Sequence, residues 1–218
     1  MAVDFATARV GLRDILLGMP RGFDFGDGKG LVAAHGHQNP DGSMGGWVAD
    51  TAYVAETVFM DSTAAVFGRS IVLDEVEIKD FAMVCGDTKI SGKAQLKDFA
   101  RVSGSARIEM EAKIGGSATI EGQALVSGCA VVEGRADVHG QAIIRDNGKV
   151  LGNAIVFGEA VIGYRTVVQD KALVGGDSKL FLDETEPIAG STEVVSGTRL
   201  AKNYGVEQLL QLDSGIGF

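Results

Sequence analysis

The sequence predicts an all-β parallel solenoid of triangular cross-section, and three observations carry that expectation. Every sixth residue from Val48 to Leu180 is aliphatic or Met, with no insertion in the run. The residue two places earlier is nearly always small, and it is alanine without interruption at every step from Ala94 and Ala100 to Ala136 and Ala142. The residue two places later, from Asp50 to Gly176, is nearly always Gly or Asp, with Glu56, Ser62, Met110 and Tyr164 as the departures. A strict short period describes one structural unit stacked on itself.

Each part of the Ala-x-Val-x-Gly/Asp-x unit has a physical reading. Residues two apart in an extended segment share a face, so Ala and Val point inward together and their neighbours point out. Gly or Asp then supplies turn dihedrals at low steric cost. Three strand-plus-corner units close a triangle, so residue i stacks on residue i+18. Successive coils lie parallel, about 4.8 Å apart, and the register supports about 7.5 coils in a prism about 36 Å long. A spacing of six matches no helical period, and Val-rich units with a Gly at each corner are poor helix material.

The solenoid is assigned to residues 47–182. Its open ends need covers. Residues 1–46 form the N-terminal capping segment: Asp4 to Met19 reads as an amphipathic helix with Phe5, Ala8, Leu12, Ile15, Leu16 and Met19 on one side. Gly22 to Gly46 is Gly- and Asp-rich and reads as irregular chain or a hairpin. Trp47, Tyr53 and Phe59 each precede an inward residue, so they point outward on three successive sides of the first coil and invite cover by the N-terminal segment. Residues 183–218 form a tail with an extended piece around Glu193 to Val195 and a helix from Thr198 to Leu212.

Bulk properties agree with a slim aliphatic tube. The 218 residues include 31 Gly but only 3 Pro, which separates the chain from disordered Pro/Gly tracts. A net charge of −9 argues against binding nucleic acid or an anionic membrane surface. Cys85 and Cys129 belong to no ligand or disulfide pattern. No apolar run reaches membrane-spanning length and no signal peptide is evident, so cytoplasmic synthesis is expected.

Outward positions become apolar toward the C-terminus. One column runs from Lys89 and Arg107 to Leu125, Ile143 and Val161; others carry Ile155 with Leu173, Val131 with Val167, and Phe157 alone. That surface calls for cover by the tail or by other subunits, and a homotrimer of parallel prisms is expected.

These residues resemble the hexapeptide-repeat, left-handed β-helix family, over about 135 of the 218 residues. The resemblance implies the left-handed form, an exception to the usual crossover rule. The family includes trimeric acyltransferases and gamma-type carbonic anhydrases. The usual acyltransferase unit places Gly directly after the aliphatic residue, whereas here it comes two after, as in Ala118-Thr119-Ile120-Glu121-Gly122. With the Gly45-Gly46-Trp47-Val48 start of the array, this looks more like a non-enzymatic subgroup seen in uncharacterised bacterial and bacteriophage proteins. It implies a structural role, with terminal segments docking on protein partners and a setting in a virion as decoration, baseplate or fibre-associated component.

The chemistry-bearing residues are few. His139 is the one His in the array, outward, with no looped excursion beside it; an acyltransferase reading would use it with acetyl-CoA in an intersubunit groove. His35-Gly36-His37 sets two imidazoles on one side of an extended segment, a weak zinc pattern lacking a third ligand. Phosphate-binding, nucleophile-elbow and HExxH motifs are absent, and no cofactor is expected. A carbohydrate-binding module would use Trp47, Tyr53 or Phe59 as stacking platforms.

Overall fold

In the computed structural model, residues 22–201 are described. The described residues begin with β1 (Gly22–Asp24), β2 (Leu31–Gln38) and β3 (Met44–Ala49), joined antiparallel. From β4 (Tyr53–Val54) to β24 (Leu173–Val174) every strand is two residues long and recurs each six residues, and β25 (Lys179–Phe181) follows in step. The strands sort into three sheets of 11, 9 and 7 strands, here sheets I, II and III, which the chain visits in rotation. Parallel pairs such as Trp47↔Ala65, Lys89↔Arg107 and Lys149↔Val167 place each residue on the one 18 positions away. This is a parallel β-helix.

The core follows from the repeat. The inward aliphatics from Met60 to Leu180 are fully buried, and the alanines two before them line the same interior. Where the small position is polar, the hydroxyl is satisfied inside: Thr88 donates to Ser70 at 2.9 Å, and Ser70 to the Phe67 carbonyl at 2.8 Å. Burial of a hydroxyl is tolerable on that condition.

The corners explain the Gly/Asp column. Corner residues adopt positive φ, from Gly68 at 76° to Gly176 at 60°, with Asp74, Asp80, Asp98, Asp146 and Asp170 in the same conformation. A Cβ on Gly122 would lie 2.7 Å from the Gly140 carbonyl oxygen and 2.9 Å from its nitrogen, so stacked corners are nearly in backbone contact. Asp offsets that crowding with a hydrogen bond. Its carboxylate accepts the amide of the corner one coil on, as Asp74 does from Gly92 at 2.8 Å, Asp98 from Gly116 at 2.8 Å and Asp146 from Tyr164 at 3.0 Å. Met110 and Tyr164 hold φ of 62° and 56° without that advantage.

The first coil is built differently. Its corner residues Asp50, Glu56 and Ser62 are absent from the positive-φ set. In later coils the amide after the corner donates to the corner carbonyl of the next coil, as Arg69 does to Gly86 at 2.7 Å. Here the hydroxyls of Thr51, Thr57 and Thr63 donate instead, to the carbonyls of Gly68, Asp74 and Asp80. Three threonines thus start the stack.

The expected hairpin is present and forms the cover at this end: β2 pairs with β3, Ala34↔Ala49 and Gly36↔Trp47. The expected helix at Asp4 to Met19 lies outside the described residues.

The far end differs from expectation. The stack does not stop at residue 182: Ile188 bridges to Val168, β26 (Glu193–Val194) pairs with β24, and β27 (Thr198–Leu200) pairs with β25. Sheets I and II therefore each stack nine levels of the coil rather than 7.5. The last coil carries two extra residues between Leu182 and Ile188, so Val174 faces Val194 at an offset of 20. Leu182 donates its amide to Thr166 Oγ1 at 2.7 Å where the register breaks. The helix expected from Thr198 is, over Thr198–Leu200, a strand, because the β25 edge offers a backbone ladder there; Ala201 extends that ladder by donating to the Phe181 carbonyl at 2.8 Å, and the remainder from residue 202 lies outside the described residues. Among the described residues there is no helix long and apolar enough to cross a membrane.

Candidate functional site

Because two-residue strands alternate with corners, chemistry can reside only on outward strand positions, on corners, or at the ends. On sheet I, His139 sits half-buried, its Nδ1 3.2 Å from Asp137 Oδ1 and its ring stacked at 5.8 Å on Phe157. Phe157 lies flat across the next coil, since a Cβ on Gly175 would fall 2.1 Å from its ring. A glycine just after a strand here marks the seat of an aromatic. Ile155 and Leu173 pair beside it. The imidazole thus stands on an open sheet face with one carboxylate and one ring, and its corner, Gly140, is an ordinary one.

Sheet II carries the ladder Arg107, Leu125, Ile143, Val161, Lys179 in that order. The three apolar members are half-buried. Beside them Phe181, at an outward position, is fully buried, with its ring against Gly163 and the Arg145 guanidinium 5.3 Å from its centroid. The Arg145 Nε is buried without a hydrogen-bond partner, 3.7 Å from Asp146 Oδ2. Arg145 and Phe181 escaped the sequence reading, because the outward glycine at Gly163 gave no sign of a ring above it.

On sheet III, Val131 and Val167 share a column, but Lys149 stands between them. Val167 is 8% exposed and leaves no surface for a partner. Lys149 reaches Glu184 in the irregular stretch that follows, at 3.6 Å.

At the N-terminal end the two histidines separate. His35 Nδ1 meets Asp50 Oδ1 at 2.8 Å in the open, whereas buried His37 bonds the Val58 carbonyl through Nε2 at 2.8 Å. They do not converge on one point, and no group of three metal-ligating side chains occurs among the described residues. Asn39, buried beside His37, was missed by sequence reading.

The three outward aromatics diverge as well. Trp47 is half-buried with Phe23 stacked on it at 4.8 Å and 18°. Phe25 stacks likewise on Phe67, and Ala34, Ala49, Ala65 and Cys85 are the other buried members of this satellite cluster. Phe59 is half-buried and Tyr53 is 58% exposed. A sugar platform at Trp47 would have to displace Phe23. Burial holds the Cys85 thiol above its ordinary pKa, against the opposing pull of Arg101, whose Nη2 lies 3.8 Å from the sulfur.

No family model matches the chain, and searches of the curated proteins and the solved structures give no match.

Proposed function

We propose that the protein is a non-enzymatic structural or assembly element, a rigid rod that associates as a homotrimer of parallel prisms. The observation that supports this most is the uniformity of the tube. From Trp47 to Phe181 each strand pairs with its neighbour 18 residues away, and every connection between strands is a short corner. Pockets for small molecules need walls, and an uninterrupted prism has faces. Stability that accumulates coil by coil suits a spacer or scaffold. The resemblance noted above favours a bacteriophage particle as the setting, as a decoration, baseplate or fibre-associated component, with terminal segments reaching the partner.

Light scattering on the purified chain tests the reading. The expected mass is three times the 22.7 kDa of one chain. A monomer at all concentrations, with no partner co-purifying from the native particle, would overturn it.

A further inference from the structure

We infer that the assembly contact is heterologous: sheet II of one copy packs on sheet I of the next. The inference rests on the self-association proposed above and names its surfaces.

The two faces complement each other in charge. Outward positions of sheet II hold Arg107, Arg145 and Lys179 around the apolar ladder; Glu109, the acid there, pairs with Arg107, which leaves Arg145 and Lys179 as the basic groups of that rim. Outward positions of sheet I hold Asp137 and Glu193 at the two ends of its apolar pair, Ile155 and Leu173. One face is apolar with a basic rim, the other apolar with an acidic rim. Such pairing steers association and suppresses same-face contacts.

The heights agree too. In a ring about an axis parallel to the prisms, each coil meets its own level on the neighbour. The chain passes from sheet I to sheet II within each coil, so a sheet II strand sits one third of a coil, about 1.6 Å, above the sheet I strand before it. On a neighbour at equal height, Val161 therefore falls between Ile155 and Leu173. Ile143 falls between Asp137 and Ile155, with Arg145 alongside. Lys179 falls between Leu173 and Glu193. Apolar meets apolar and base meets acid, with no shift along the axis. An antiparallel two-fold contact through sheet II alone would set its basic rims against each other.

The test uses the full chain in a Cys129→Ser background. Val161→Cys and Ile155→Cys are made separately, mixed under oxidation, and compared with each alone. Cross-linked dimers are expected in the mixture only. Lys179→Glu and Glu193→Lys should each weaken assembly about tenfold, and a protein carrying both should recover it. Cross-linking of Val161→Cys with itself would overturn the inference in favour of a same-face contact. An oligomer showing neither mixed cross-links nor charge rescue would overturn it while leaving the assembly role standing. A monomer in which Val161→Cys resists a thiol reagent would overturn both, and would assign the face to residues 202–218 of the same chain.

Discussion

The side-chain amide of Asn39 pairs with the backbone of Met60 at both of that residue's hydrogen-bonding groups. Oδ1 accepts from the Met60 amide at 2.8 Å, and Nδ2 donates to the Met60 carbonyl at 3.0 Å. Met60 lies on β5 (Phe59–Met60), the first strand of sheet III, where no earlier coil supplies a partner. One side chain therefore replaces a strand at that edge, and His37 on the Val58 carbonyl extends the seal.

Replacing Asn39 with Leu should leave two buried backbone groups unpaired and destabilise the N-terminal end by about 1–3 kcal/mol per group. Urea unfolding reads the loss, and hydrogen exchange should show the Met60 amide opening before the middle coils. Wild-type protection of that amide in the variant would remove this account of the cap.

The corners yield a paired prediction. Gly122→Ala places a methyl against the Gly140 backbone at a φ of 70° and should destabilise by about 1–3 kcal/mol. Met110→Gly removes a side chain from a φ of 62° and should stabilise by up to about 1 kcal/mol, the gain being trimmed by the entropy of glycine in the unfolded chain. Thermal melts of both variants decide the matter, and changes of equal sign would contradict it.

Asp98 separates conformation from hydrogen bonding. Asp98→Gly keeps the positive φ and loses only the bond to the Gly116 amide, whereas Asp98→Ala loses both. The alanine variant should therefore be the less stable, by about 1 kcal/mol. Equal stability of the two would mean the corner conformation carries no strain.

The two thiols should differ sharply in reactivity. Cys129 is exposed and should react with a disulfide reagent in the folded protein, while Cys85 should wait for opening of the Phe25–Phe67 cluster. The pH dependence has a definite sign. The folded state holds the Cys85 proton more tightly than the unfolded chain, so its contribution is whole below the ordinary thiol value of 9.0 and is lost as pH rises from there through the higher folded value. A Cys85→Ala variant should show a flatter stability profile across that window.

Much of the solenoid was legible because its determinants are local and repeated. Inward Val126, small Ala124 and corner Gly128 state the unit within five residues, and each neighbouring coil restates it. The last coil was harder to read. Ile188 and Val194 keep the six-residue step, yet the two residues inserted after Leu182 hide their kinship with Val168 and Val174. Thr198–Leu200 reads as helix alone and becomes strand because β25 lies beside it.

Sequence alone determined the period, the inward and outward sides, the corner chemistry and the apolar drift of the outer columns, since all of these depend on residues a few positions apart. Only the folded chain decided what the outward side chains meet. Phe23 covers Trp47, Arg145 covers Phe181, and Asn39 closes on Met60. Those contacts join residues separated by 21 to 36 positions or fold an end back on the tube, and the six-residue pattern, which sets only which side a residue faces, does not encode them.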